Sequence, residues 1–587
     1  MIQSGCEHPR ALQALSNWKR HDPIAPTASD EVDAAVAELR ARADAWVGTG
    51  LDERVALLEQ ILRNLDDEAE AWIATARRLK GIDPGSNAEG QEWLSGYLAM
   101  PRSVRYFIHT LRHRGKPAPI STRKRSTPAG EQTIVRVFPQ TLLDKALFTG
   151  WTIDLWLEPG ARPEQGGIYA RKAAGSSKNE NAGKVALVMG AGNQIFLGPT
   201  DLLHKLFVDD EVVILKMNPV NEVDGPHIER VFAPLIRAGF LRVVYGGIEV
   251  GAQLCAHPEV DSIHVTGSDR TYDAIVWGGD PDQRAERKRS GERVNDKPFT
   301  AELGCVSPYI IVPGPWSSAD LDYHAAQLAS ALTQNAGHNC AAAQVVLIAD
   351  GWDQRREFLQ RLERAIRASA PRISYYPGSK DHWRRFVAKY PQHEVLGREP
   401  AEAVVPWTLV QDVPMRSGEW ALTCEGFCGI LNIVDVAAAD APTFLKKVIP
   451  FANDELWGNL SCSMIVDPKT RKAHRQAVDQ AIADLRYGTV AINAWAGAGC
   501  ALMVSGWGAF PGNQPQDIQS GVGMSHNNLL WEPLQKSVME LPFRVFPKPP
   551  WFVDHRNLPA MGRALVHFEC APGLGRLLPV VLAAIKG

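Results

Sequence analysis

The stretch Lys184-Val185-Ala186-Leu187-Val188-Met189-Gly190-Ala191-Gly192-Asn193 decides how this chain folds. An apolar run is broken by glycines and followed by a helical stretch near Thr200–Phe207. A short apolar run bounded by glycine reads as a buried strand. The rhythm repeats outward. Glu211–Lys216 reads as a second strand, Pro226–Ala238 as a helix and Leu241–Tyr245 as a third strand. Ser262–Val265 reads as a fourth, ending in Thr266-Gly267-Ser268. Strands alternating with helices at this spacing predict βαβ units and a parallel sheet.

The charged segment Asp280–Lys297 reads as a surface excursion, and the alternation resumes after Glu302. Strands are expected at Tyr309–Val312, Gln344–Ile348, Ser463–Val466 and Thr489–Ile492, with a helix across Asp322–Ala336. These predict a second α/β domain. Toward the N-terminus, Val32, Val36, Leu39, Ala43 and Trp46 recur at helical spacing, with Ser29 or Asp30 as N-cap; Val55, Leu58, Ile61 and Leu65 mark another helix. His113–Gly130, basic and rich in Pro, Ser and Thr, reads as an exposed loop. Pro547-Lys548-Pro549-Pro550 and Trp551-Phe552 predict an extended, packed tail, because proline fixes φ and removes a backbone donor.

The chain has 587 residues, 45% hydrophobic and 22% charged, so two or three domains are expected. A net charge of −3 gives no reason to expect a nucleic-acid partner. Nine scattered cysteines, Cys6 among them, fit free thiols in a reducing compartment, and a cytoplasmic location is expected. Cys424 and Cys428 have no second Cys/His pair nearby, so no metal site is expected. No apolar run reaches the roughly 18 residues of a membrane span.

One cysteine stands in a distinctive frame, Gln334-Asn335-Ala336-Gly337-His338-Asn339-Cys340. Upstream lies Ala301-Glu302-Leu303-Gly304. A thiol, a separate carboxylate and glycines around the thiol suggest covalent catalysis with a distinct base. Gly190-Ala191-Gly192 lacks the third glycine of a dinucleotide fingerprint, and the second strand ends in Lys216-Met217-Asn218-Pro219 without the acidic residue. A nucleotide domain of another design stays open.

Taken together these segments resemble the aldehyde dehydrogenase superfamily. Asn335, Gly337 and Cys340 match its nucleophile motif, and Glu302-Leu303-Gly304 its general-base motif. Asn193 stands at its oxyanion asparagine, Lys216 at its cofactor lysine and Thr266-Gly267-Ser268 at its phosphate contact. Glu425-Gly426-Phe427 resembles the pair that holds the nicotinamide ribose, and Ala452-Asn453 with Gly458 a later segment. The chain departs from the family at His338, at Cys305 and at Gly190-Ala191-Gly192. Pro219 stands where a carboxylate often accepts ribose hydroxyls, which leaves NAD and NADP both open.

The resemblance implies an α/β fold of two α/β domains, a Rossmann-like cofactor domain and a catalytic domain, with the site in the cleft between them. It implies NAD(P)-dependent oxidation of an aldehyde to an acid, with Cys340, Glu302 and Asn193 catalytic. Lys216, Thr266, Gly267, Ser268, Glu425 and Phe427 would bind the cofactor. It also implies a small oligomerisation arm, placed at Trp151–Ala174 with a contribution from Ser537–Phe546, and self-association as a dimer or tetramer. The expected divisions are residues 1–145 (helical part of the cofactor domain), 146–182 (arm), 183–302 (cofactor domain), 303–500 (catalytic domain) and 501–587 (return to the cofactor domain, arm strand and tail). Two alternatives stand beside this reading: coenzyme-A-dependent release or acyl-CoA reduction, and a non-catalytic protein on the same scaffold.

Overall fold

The computed structural model describes residues 21–173, 182–397 and 403–586. Cys6, Ala174 and the end of the expected arm at 175–181 lie outside these. The apolar run Val185–Met189 is the central strand of a six-stranded sheet. Val212–Lys216 and then Leu241–Val244 pair parallel on one side, Ser262–Gly267 and then Phe299–Leu303 on the other. Gly521–Val522 adds an antiparallel edge beside Phe299–Leu303. Strands with both faces covered by helices are apolar throughout, and Val185, Ala186, Leu187 and Val188 are all fully buried.

The second sheet has eleven strands. Its parallel heart runs Thr489–Ile492, Ser461–Ile465, Pro308–Ile311, Val345–Ala349, Ile430–Val436 and Thr408–Val410. Beyond Thr489–Ile492 it continues through Leu534–Glu540 into Thr152–Leu157, Gly130–Phe138 and Ser121–Thr127. Thr152–Leu157, in the segment where the arm is expected, pairs on both sides within its own chain, and its apolar residues Ile153, Leu155 and Leu157 are buried there.

The expected loop at His113–Gly130 is corrected. Ser121–Thr127 is an antiparallel edge strand, so the part before residue 145 is not wholly helical. Its outer position leaves Arg123, Lys124 and Arg125 at the surface, and such cations on an edge discourage pairing with another chain. The helix at Ser29–Gly48 buries Val32, Val36, Leu39, Ala43 and Trp46 as expected, but its N-cap is Ala28. Asp280–Lys297 carries the helix Pro281–Ser290, which has no buried residue.

The tail is also corrected. It is helical beyond Asn557, in Leu558–Cys570 and Leu574–Ile585. The first helix packs closely on the segment Asn87–Tyr97. A Cβ on Gly90 would come within 2.6 Å of Leu558, and one on Gly562 within 2.5 Å of Trp93. Buried Glu569 fixes the far end of that helix by pairing with Arg102 at 2.5 Å and with Arg105.

Candidate active site

Ligands of open parallel sheets bind at the carboxyl ends of the strands, and the expected residues gather there. Asn193 follows Val185–Met189, Glu302 lies in Phe299–Leu303, and Thr266 and Gly267 close Ser262–Gly267. Cys340 arrives from the side of the eleven-stranded sheet, on the segment between helix Ser318–Thr333 and strand Val345–Ala349. Together with Ser268, Glu425 and Phe427 they line one cleft of about 510 Å³. Lys216 ends its strand beside Met189 at the same edge of the sheet, outside the lining of that cleft.

Cys340 Sγ lies 3.6 Å from Glu302 Oε1, so the thiol donates toward the carboxylate. Trp507 Nε1 donates to the same oxygen at 2.6 Å, and Oε2 is buried without a partner. Burial raises the Glu302 pKa above the ordinary carboxylate range; Asp201 adds to this, while His526 and the Trp507 bond oppose it. Burial, and then the charge of Glu302, push the Cys340 thiol well up. No helix starts at Cys340 to favour its thiolate, so a neighbouring base has to take the proton.

Behind Glu302 lies a buried polar cluster that the sequence reading missed. Asp201 Oδ1 is 3.1 Å from His526 Nε2, Asp201 Oδ2 is 3.4 Å from His264 Nε2, and Thr266 Oγ1 donates to Asp201 Oδ2 at 2.8 Å. The Thr266 hydroxyl is therefore engaged inward. Burial drives the Asp201 pKa up, but His264 and His526 together outweigh it and hold the carboxyl below its usual range.

The loop carrying the thiol is held in an unusual shape. Asn335, Ala336 and Gly337 have φ of 52°, 59° and 78°. A left-handed Ala costs roughly 1–2 kcal/mol and persists only where the surroundings over-determine it. Here they do. Asn335 Nδ2 donates to the backbone oxygens of Asn193 and His338, both at 2.8 Å, and Asn335 Oδ1 accepts from Lys80 Nζ at 3.0 Å. Tyr375 OH donates to the Asn193 oxygen at 2.7 Å, and Lys80 pairs with buried Glu92 at 2.8 Å. Gly337 is required for space as well as for φ, since a Cβ would meet the Cys428 carbonyl carbon at 2.6 Å.

Asn193 is not a helix cap; Phe196 holds that position for Leu197–Phe207. Its side-chain amide donates to the His338 oxygen at 3.2 Å and faces the cleft near the thiol. His338 is fully buried between the Phe427 oxygen and Ser374, and burial lowers its pKa to about 4. It is a neutral post tying the thiol loop to Phe427. Glu425 approaches Gly304 so closely that a Cβ there would displace its carboxylate, its Oε1 accepts from the Cys305 N–H at 3.3 Å, and burial raises it to about 8.

The cleft suits a dinucleotide. Ser268 caps the nine-residue helix Asp269–Trp277, whose N-terminus opens on the cleft beside Arg270 and Arg385. Free N–H groups and cations of this kind bind phosphate. Gly192 lets the backbone pass Asn218, whose Oδ1 would lie 2.7 Å from a Cβ.

The profile of the Aldehyde dehydrogenase family matches residues 212–372, a span that includes both Glu302 and Cys340. Over that span the chain is similar to the aldehyde dehydrogenase family. An N-succinylglutamate 5-semialdehyde dehydrogenase of Ectopseudomonas mendocina is 24% identical over 55% of this chain and 52% of its own length. A (Z)-2-((N-methylformamido)methylene)-5-hydroxybutyrolactone dehydrogenase of Acinetobacter baylyi is 32% identical over 32% of this chain and 35% of its own length. The chain thus spans about half the length, or less, of these curated relatives. Among solved structures, a Mycobacterium tuberculosis aldehyde dehydrogenase complexed with NAD+ aligns with TM-score 0.58 at 18% identity, covering 88% of this chain and 91% of that one. A gamma-glutamyl-gamma-aminobutyraldehyde dehydrogenase of Burkholderia cenocepacia aligns with TM-score 0.60 at 20% identity, covering 88% and 90%. These likenesses show the fold. No described helix is long and apolar enough to cross a membrane.

Proposed function

We propose that the protein oxidises an aldehyde to a carboxylic acid with NAD or NADP, through a covalent bond to Cys340. The observation that carries this is the 3.6 Å approach of the Cys340 thiol to the Glu302 carboxylate in the cleft that also holds Asn193. Bound NAD or NADP supplies the hydride acceptor. Ser268, the N-terminus of Asp269–Trp277 and Arg270 would hold its phosphates, and Glu425 with Phe427 its nicotinamide ribose.

Glu302 accepts the thiol proton as Cys340 sulfur attacks the aldehyde carbon. The oxygen becomes an alkoxide, stabilised by the Asn193 amide and the Cys340 N–H; each such donor is worth about 3–4 kcal/mol. Loss of hydride leaves a thioester on Cys340. Glu302, having released the thiol proton to solvent, takes a proton from water as the water oxygen attacks the thioester carbon, and returns it to the sulfur as the C–S bond breaks, giving acid and thiol. The raised pKa of Glu302 suits a base that works near neutral pH.

The test is to follow reduced nicotinamide absorbance with aldehydes and each cofactor, with and without coenzyme A. Turnover without coenzyme A that disappears in Cys340→Ala is expected. A rate that depends on coenzyme A would replace hydrolysis with acyl transfer. No turnover, together with an inert Cys340, would favour a non-catalytic protein.

A further inference from the structure

A second cavity adjoins the thiol, sharing Asn193, Leu197, Glu302 and Cys340 with the Ser268 cleft but not Ser268 itself. Close to Cys340, a small space of about 30 Å³ is walled by Ser95, Asn193, Glu302, Cys340, Trp495 and Ala501. Beyond it lies an apolar cavity of about 70 Å³ that shares Ser95, Trp495 and Ala501 as wall. Leu94, Leu98, Trp151, Ala498 and Leu502 line this outer cavity, and the C-terminal tail closes it with Pro550, Trp551 and Leu565.

The wall is built rather than incidental. Ser95 and Leu94 lie on the π-helical turn Glu92–Tyr97, a distortion that recurs at functional sites because it re-aims side chains. Ser95 Oγ accepts from Gln334 Nε2, so the throat is tied to the chain segment that carries the thiol. Trp495 Nε1 is fixed on the Ala341 oxygen at 2.7 Å, next to the nucleophile. The tail is pinned by a Trp151–Trp551 edge contact at 5.5 Å, by the Val553 N–H on Ser330 at 2.9 Å and by Glu569 on Arg102.

The chemistry of the wall selects against charge. Its cation, Arg102, is 2% exposed and already paired with Glu569 and the Leu502 oxygen. A carboxylate or ammonium entering here would be buried without a partner, at a prohibitive cost. The buried polar atoms left unpartnered on this wall, among the described residues, are Gln334 Oε1 and Trp551 Nε1, an acceptor and a donor that can serve one neutral polar group.

We propose that this second cavity receives the side chain of the aldehyde, that the tail residues Trp551, Pro550 and Leu565 set its depth, and that the enzyme therefore takes uncharged, predominantly apolar aldehydes of limited length. This rests on the aldehyde-oxidation reading above. It separates the protein from any semialdehyde substrate carrying a carboxylate on its tail.

The experiment uses the full chain. The quantity read is kcat/KM for straight-chain aldehydes from propanal to dodecanal, and for succinic semialdehyde. Values should rise with length and then fall, with succinic semialdehyde about tenfold or more below butanal. Trp551→Ala should move the optimum to longer chains. Ala498→Leu should lower the long-to-short ratio about tenfold, which guards against Trp551→Ala merely loosening the tail. Succinic semialdehyde equal to butanal, or an unmoved length profile in both variants, would overturn the proposal. Binding is read separately through saturable quenching of tryptophan fluorescence by 1-octanol, weakened in Ala498→Leu. Such quenching without turnover of any aldehyde would defeat the oxidation reading and keep the apolar site. Turnover without saturable quenching and with an unmoved profile would defeat the cavity and keep the oxidation reading.

Discussion

Glu302 Oε1 sits between the Cys340 thiol, at 3.6 Å, and the Trp507 indole N–H, at 2.6 Å. One oxygen therefore meets both the nucleophile and the group that restrains its basicity. Both titrating groups are pushed above their ordinary values by burial. They titrate as a pair, so activity reports on the pair.

Cys340→Ala is expected to abolish turnover while cofactor still quenches tryptophan fluorescence. Glu302→Gln should lower kcat about 10²–10⁴-fold, the range of a lost general base. A Glu302→Gln enzyme within threefold of wild type would show that the carboxylate is a structural partner of Trp507.

Trp507→Phe should displace the pH profile. The indole hydrogen bond favours the carboxylate form and so lowers the Glu302 pKa. Without it the pKa climbs further, and more alkali is needed to make the base. The acidic limb of kcat against pH should therefore move to higher pH, while activity well above that limb is largely retained. A limb that stays in place, or moves to lower pH, would contradict the assignment of Glu302 as the titrating base.

Much of this was readable from residues in order, and the part that was not has separate physical causes. The parallel strands were legible because apolar runs closed by glycine need no distant partner to be recognised. Cys340 and Glu302 could be singled out because each sits in its own local motif, and Asn193 because it follows the first strand of the parallel sheet; the structure brings the three to one cleft. The restraints on them were not legible. Trp507 reaches Glu302 from 205 residues away, and Lys80 reaches Asn335 from 255; a buried lysine looks like a surface lysine until its partner is placed. Ser121–Thr127 was hidden because an edge strand with exposed Arg and Lys carries little apolar alternation. The tail helices were hidden by their prolines, since Pro559 falls at a helix start and Pro579 within a helix.

Lys80 gives a prediction about stability. It is 2% exposed, pairs with Glu92 at 2.8 Å and donates to Asn335 at 3.0 Å. Lys80→Met keeps the volume but strands a buried carboxylate, which typically costs 3–5 kcal/mol. It also frees the left-handed turn before the thiol. Denaturant unfolding should show a loss of about that size, together with faster alkylation of Cys340 as the loop loosens. A stability within about 1 kcal/mol of wild type would remove the network from the account of how the thiol is held.

Cofactor choice turns on Pro219. It stands three residues beyond Lys216, where the resemblance places a carboxylate that accepts ribose hydroxyls. The neighbouring Asn218 side chain is spent on the Val220 N–H at 3.0 Å. With no carboxylate at that position, a 2′-phosphate meets no repulsion from it, and Lys216 is a nearby cation at the end of its strand. NADP should therefore bind within about tenfold of NAD in a fluorescence titration, a difference of about 1.4 kcal/mol. Pro219→Glu should weaken NADP about tenfold or more relative to NAD, because like charges are brought together at short range. The ratio of the two affinities is the reading that matters, since loss of the proline ring can loosen the turn and weaken both cofactors equally. A ratio unchanged by Pro219→Glu would mean that the adenosine ribose lies elsewhere, and Lys216 would lose its role with it.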